Sequence, residues 1–216
     1  MRIFHSTFTM QIQNPENIRL KGDMGGGTLY DIGIYCLNAA RSLFKAEPTE
    51  VMAMSANNGE ARFSEIDEMT SVLMRFPNEQ MAVFTASFGA AETGKYEIIG
   101  TKGTIEVQNA YSFTDGMKQT LKVGGKTKRF KYSERDQFAP ELIYFSECIQ
   151  KGRDPEPSGE EGLADVRVIE ALLSSAKTGK LVKLEAKKEL RHPRFSKGIH
   201  RKAISPKPET IKVIRH

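Results

Sequence analysis

Residues 25–44 read GGGTLYDIGIYCLNAARSLF. Three glycines lead into an otherwise apolar run that reads as a helix from about Thr28 to Phe44, and the polar residues at its mouth support two readings. In the first, Thr28 and Asp31 approximate a capping box, with the carboxylate favoured by the positive end of the helix dipole. Tyr35 is then a partly buried aromatic whose hydroxyl is tied to something polar. In the second, Asp31 and Tyr35 stand four residues apart on one helix face, Asn38 continues that face, and the glycines let a ligand approach the backbone closely. A tyrosine hydroxyl so placed passes a proton to or from a carbonyl or alcohol, provided that a nearby cation lowers its ordinary pKa of about 10. The nearest cations, Arg19 and Lys21, lie in the preceding loop and supply no evident partner.

Upstream, RIFHSTFTMQI places Phe4, Ser6, Phe8, Met10 and Ile12 on one face and His5, Thr7, Thr9 and Gln11 on the other, the period of a half-buried strand. NPENIRLKGDMGGG, rich in turn formers, joins it to the helix as an ordered loop. Downstream of Pro48, the runs TEVMAMSAN, EMTSVLMRF, QMAVFTASF, KYEIIG and GTIEVQ read as successive strands, GTKG at 100–103 is a tight hairpin connection, and QTLKVGG pairs with KRFKYS across Gly124 and Gly125. Strands without intervening helices imply antiparallel pairing. Two helices close the body. The first carries Phe138, Leu142, Phe145, Cys148 and Ile149 at helical spacing; the second opens with Ser158 and Glu161 at capping-box spacing and ends before Gly179, with VKL as a last edge strand. The expected fold is α+β: an open, mainly antiparallel sheet with helices packed on one face. Apolar residues such as Met52, Met54, Met69, Leu73, Phe84 and Phe88 are spread so that both faces carry them in places, which points to homo-oligomerisation through the open face.

The totals narrow the class. A chain of 216 residues, 39% hydrophobic and 27% charged, suits one globular core. It has no apolar run of membrane-spanning length and no continuous signal-peptide core, so no membrane association is expected. Cys36 and Cys148 lie far apart in helix-like apolar stretches and read as buried free thiols, which fits a reducing, cytoplasmic setting. The net charge of +5 is concentrated at one end: residues 186–216 hold ten Lys/Arg against Glu189 and Glu209, while 1–185 hold 22 basic against 25 acidic residues. The division is therefore a body at 1–185 and a basic, proline-containing arm at 186–216, and nucleic-acid binding is not the leading expectation. Three of the four histidines fall in the arm, leaving no spacing in the body suited to a metal. The Gly25–Gly27 triplet follows a long loop rather than a strand, and no acidic residue closes a second strand about 20 residues on, so no residue is assigned to cofactor binding.

The stretch GGGTLYDIGIY resembles the start of the C-terminal domain of the Gfo/Idh/MocA oxidoreductases, matching GGG-x-L-x-D-x-G-x-[HY] at Gly25, Gly26, Gly27, Leu29, Asp31, Gly33 and Tyr35. RDQFAPELIYFSECIQKGRDPEPSGEEGLADVRVIEALLSSAKTG is similar to that family's closing helices, so the likeness covers roughly 1–185. The resemblance implies the substrate-binding and oligomerisation half of an NAD(P)-dependent oxidoreductase acting on a sugar, polyol or dihydrodiol. It implies a catalytic role for Tyr35 as proton donor or acceptor and for Asp31 as the group that orients substrate or tyrosine. Arg19 and Asn38 are the candidate substrate contacts. In the family a preceding dinucleotide domain holds NAD or NADP and supplies a lysine, the cation missing beside Tyr35; neither is found in these 216 residues. The chain alone is therefore expected to bind no dinucleotide tightly and to be inactive, the alternative being a free-standing, non-catalytic ligand-binding or scaffold module of the same fold.

Overall fold

A computed structural model describes residues 1–185. The basic arm at 186–216 lies outside the described residues.

The alternation in the first strand forms β1 (Ile3–Thr9), with Phe4 and Ser6 buried and His5 exposed. β1 ends at Thr9, but the Met10 and Ile12 amides still donate to the carbonyls of Ser87 and Phe88 at 2.9 and 3.1 Å, so the alternating stretch keeps its course beyond the regular strand. The remaining strands are β2 (Glu50–Ala56), β3 (Met69–Phe76), β4 (Gln80–Ser87), β5 (Thr93–Ile99), β6 (Gly103–Gln108), β7 (Lys118–Val123), β8 (Lys126–Lys131) and the short β9 (Val182–Lys183). They form one sheet in the order β8-β7-β6-β5-β1-β4-β3-β2-β9. The meander β2–β3–β4 and the meander β5–β6–β7–β8 are antiparallel, as expected. The exception is β1, which fits between them, parallel to β4 with Phe4 beside Ala82, and antiparallel to β5.

The helices α1 (Ile34–Phe44) and α3 (Gly159–Thr178) cover one face of the sheet. Their side chains Leu37, Ala40, Val168, Ile169 and Leu172 meet Phe4, Val51, Met74 and Phe84 in the main core. Each fully buried Leu, Ile, Val, Met or Phe side chain among them contributes about 1.5–3 kcal/mol. Ser158 caps α3, its hydroxyl accepting from the Glu161 amide at 3.4 Å, and Gly179 ends it in the left-handed conformation (φ 67°).

The opposite face is open, and the cross-strand registers define its composition. Met52, Leu73, Val83, His5, Glu97, Glu106, Thr120 and Arg129 follow one another across it, so the face is apolar at the β2–β3–β4 end and charged towards β8. Met52, Met54 and Leu73 are exposed there, whereas Phe84 and Phe88 belong to the covered side.

The helix α2 (Phe138–Gln150) departs from its amphipathic pattern. Cys148 is buried, but Phe138, Leu142, Phe145 and Ile149 are 54–68% exposed. Their spacing is that of a buried face, and the described residues do not cover it. Both cysteines are buried and unpaired. Among the described residues no helix is long and apolar enough to cross a membrane.

Candidate functional site

The helix expected from Thr28 starts differently. Leu29–Gly33 form one wide π turn, and regular α-helix begins only at Ile34. Thr28 makes no cap: its hydroxyl lies 3.2 Å from that of Thr70 on β3. The capping-box reading of Thr28 and Asp31 is thereby corrected, because a buried hydroxyl facing the sheet takes the partner nearest to it. Asp31 instead receives Arg19 Nε at 2.6 Å, so two of the expected site residues are joined across the loop. Single π turns within helices are often found at functional sites.

The glycine triplet makes this pairing possible. Gly25 (φ 79°) and Gly27 (φ 121°) are in conformations that side chains disfavour, and a Cβ on Gly26 would meet the carbonyl oxygens of Arg19 and Lys21 at 2.6 Å. The Gly26 and Gly27 amides donate to those same carbonyls, Lys21 and Arg19 respectively, at 2.9 Å. These are the backbone donors that a phosphate would require, and the loop itself occupies them. The triplet thus folds its own loop and does not fit a dinucleotide.

Tyr35 is 52% exposed on α1. Its ring stands edge-on to Phe8 of β1 (5.6 Å between centroids, 84°) and to Tyr111 beyond β6 (6.1 Å, 62°). Tyr111 stacks on Phe8 at 5.0 Å, and its hydroxyl lies 2.7 Å from Ser6 Oγ. Beside Tyr35 runs a cleft of about 480 Å³ lined by Asn38, Ser42, Tyr96, Tyr111 and Asp165 together with apolar residues of α1. Burial pushes the Tyr96 and Tyr111 hydroxyls above their ordinary range and the Cys36 thiol up to about 11, so all three remain protonated donors at neutral pH.

Asn38, exposed at the same cleft, donates through Nδ2 to Asp165 Oδ2 at 3.0 Å. Asp165 belongs to a buried charge cluster centred on Arg41, whose side chain is fully enclosed. Arg41 donates to both Glu47 oxygens and to Glu161, each at 2.8 Å, and to Asp165. Burial alone would lower the guanidinium pKa, but Glu47 and Asp165 more than reverse this and hold it charged. Burial raises the Asp165 carboxyl, with Arg41 and Asn38 pulling the other way.

The structure therefore groups Tyr35 with Asn38 along one cleft and Arg19 with Asp31 at the turn before it. Tyr111, Tyr96, Ser6 and the Arg41 cluster did not emerge from the sequence; of these, only Ser6 stood out there, as one position on the buried face of β1. Among the described residues no group of three or more His, Cys, Asp or Glu is placed to hold a metal.

Residues 4–184 match the model of the oxidoreductase family C-terminal alpha/beta domain, and the chain belongs to that family, Gfo/Idh/MocA. It is 31% identical over 175 residues to a D-xylose 1-dehydrogenase [NADP(+)] of Haloarcula marismortui, an alignment covering 81% of this chain and 49% of the relative. It is 25% identical over 159 residues to a trans-1,2-dihydrobenzene-1,2-diol dehydrogenase of Xenopus tropicalis, covering 71% and 47%. The crystal structure of an aldose-aldose oxidoreductase from Caulobacter crescentus complexed with glycerol superimposes with a TM-score of 0.79 at 34% identity, over 85% of this chain and 55% of that one. The chain spans about half the length of the curated relatives it matches.

Proposed function

We propose that this member of the Gfo/Idh/MocA C-terminal domain family is the substrate-binding and oligomerisation half of an NAD(P)-dependent oxidoreductase acting on a sugar, polyol or dihydrodiol. The observation that carries the reading is Tyr35: a half-exposed phenol held by two aromatic rings at the edge of a cleft to which Asn38, Ser42 and Asp165 bring polar groups, four residues after Asp31 and its partner Arg19. The substrate class and the cofactor are supported by similarity to a D-xylose 1-dehydrogenase [NADP(+)], a dihydrodiol dehydrogenase and an aldose-aldose oxidoreductase.

In this reading Tyr35 gives a proton to, or takes one from, the substrate oxygen at the carbon being reduced or oxidised. Asn38, its amide already oriented by Asp165, offers its carbonyl oxygen and second N–H to a substrate hydroxyl. Arg19 and Asp31 hold the turn and present a charged pair to the substrate. The glycine turn does not fit a dinucleotide; in this reading NAD or NADP is held by another part of the complete enzyme, and the described residues by themselves turn nothing over. The domain body is 1–185, and copies associate through the apolar end of the open sheet face, where Met52, Met54 and Leu73 lie exposed.

The test is to isolate the native product that contains these residues and assay NAD+ and NADP+ reduction with a panel of aldoses and polyols. Tyr35→Phe is expected to lower kcat by about 10²-fold or more, with circular dichroism and oligomer size unchanged. Turnover near that of the parent protein in that variant would refute the role of Tyr35.

A further inference from the structure

Tyr35 projects from a helix, where long side chains choose between two staggered χ1 wells, and its solvent side is open. A group that passes a proton has to stay in one of them. Its only ring neighbours among the described residues are Phe8 and Tyr111. Edge-to-face ring pairs bias such a choice by about two- to tenfold each, so the two together bias it by about fourfold to a hundredfold.

Phe8 is fixed by the register of β1 between β4 and β5. Tyr111 lies beyond the end of β6, where the neighbouring Ala110 amide still donates to the Gly94 carbonyl of β5 at 2.8 Å. Its side chain is held by its stack on Phe8, by the Tyr96 ring 6.3 Å away and by its hydroxyl, 2.7 Å from Ser6 Oγ. The Ser6 hydroxyl carries one proton, and the carbonyl of Lys95, 3.0 Å away, accepts it. The lone pairs of Ser6 Oγ are then free to accept the Tyr111 O–H, and Cys36 Sγ lies 3.2 Å from the same oxygen. The buried end of Tyr111 is thus tethered through a satisfied network, and its exposed ring edge meets Tyr35.

We infer that Tyr111, tethered by Ser6, is the positioning residue that holds the Tyr35 phenol in its working rotamer. The inference rests on the reading of Tyr35 as the proton-handling group. It also accounts for a buried serine between Phe4 and Phe8 on one face of β1, where an unpartnered hydroxyl would be costly.

The experiment has one readout on the chain of 216 residues and one on turnover. In isotopically labelled protein, the three-bond couplings of Tyr35 report its χ1 populations. One dominant rotamer is expected in the parent chain and averaging over two wells in Tyr111→Leu. Tyr111→Phe, which keeps the ring but loses the bond to Ser6, is expected to fall in between, with partial averaging. In the complete enzyme Tyr111→Leu should lower kcat by about tenfold to a hundredfold, with KM within about twofold and the folded fraction by circular dichroism unchanged, whereas a merely structural defect would lower the folded fraction in step with turnover and leave the Tyr35 couplings of the folded protein as in the parent. Should Tyr111→Leu fail to fold, Ser6→Ala reads the same couplings, and partial averaging is expected. A Tyr35 rotamer that stays fixed in the folded variants overturns the positioning role. If the rotamer loosens as expected but Tyr35→Phe remains fully active, positioning stands and the catalytic reading of Tyr35 falls.

Discussion

Replacing Arg41 by methionine should be among the most damaging single changes in the domain. The side chain is fully enclosed, and it faces Glu47, Glu161 and Asp165, of which the last two have side chains less than one-tenth exposed. Methionine fills a similar volume but leaves these carboxylates without their cation. Breaking a buried pair in this way costs about 3–5 kcal/mol. For a domain of this size each kcal/mol lowers Tm by about 2–4 °C, so a fall of about 6–20 °C is expected at pH 7. The pH dependence gives a second check. The folded state raises the Asp165 carboxyl, first through burial and against the pull of Arg41 and Asn38. A raised carboxyl favours folding most below its unfolded value of about 3.9, and that contribution is lost as pH climbs through the folded value. Removing Arg41 removes a downward pull and raises the folded value further. The deficit of Arg41→Met should therefore be largest near pH 7 to 8 and should narrow towards pH 5. Urea denaturation of parent and variant across that range measures it, with Arg41→Lys, which keeps the charge but not the planar fork, expected in between. A deficit below about 1 kcal/mol, or one constant from pH 5 to 8, would refute the assignment of the cluster as a paired, buried network.

Three further outcomes follow from other parts of the molecule. The Tyr30 hydroxyl donates to Glu170, and that bond, with burial and the charge of Glu170, raises its pKa to about 12; Glu170→Gln should move one tyrosine down towards the ordinary value of about 10 in an ultraviolet titration, and an unchanged titration would rule the bond out. Because the folded value is the higher one, the stabilisation is complete below about pH 10 and disappears as pH rises through about 12. Gly26→Ala forces a methyl group against the Arg19 and Lys21 carbonyls and should cost about 1–3 kcal/mol in chemical denaturation, with parent-like stability arguing that the loop adapts freely. Leu73→Asp places a charge in the apolar end of the open face and should shift sedimentation from oligomer to monomer without loss of helix content; an unchanged sedimentation coefficient would remove this face as the interface.

Much of the fold was legible because it is written in local period. The alternation around Phe4 and Ser6, the successive β-rich runs from Glu50 to Gln108 and the Ser158 cap all appear as read. The placement of β1 beside β4 was not legible, since which strand receives it depends on the covered faces of two separate meanders and on no feature of β1 alone. Nothing in the sequence singled out Arg41: Glu47 lies six residues away, but the buried carboxylates Glu161 and Asp165 come from α3, about 120 residues away. Tyr111 was equally silent, one aromatic in a turn-rich segment, because its meaning depends on Ser6 and Phe8 more than 100 residues earlier. In α2 the sequence shows an apolar stripe correctly but cannot say whether the described residues cover it.

The glycine triplet at the head of α1 ties these strands of reasoning together. An ion pair whose two side chains are about one-third exposed, as in Arg19 and Asp31, contributes at most about 1 kcal/mol. Ordering three glycines costs conformational entropy that a loop of ordinary residues would not incur. Stability of the pair therefore does not account for the loop that makes it. What the loop does is bring a guanidinium and a carboxylate to one turn before Tyr35, and it does so through backbone conformations and a close contact that side chains at Gly25, Gly26 and Gly27 would oppose. A local cost borne for geometry is often found at functional sites, as is a single π turn like the one that follows. The same reasoning separates Arg19–Asp31 from Arg41: loss of the first pair should leave stability almost unchanged and alter the function of the site, whereas loss of the second should do the reverse.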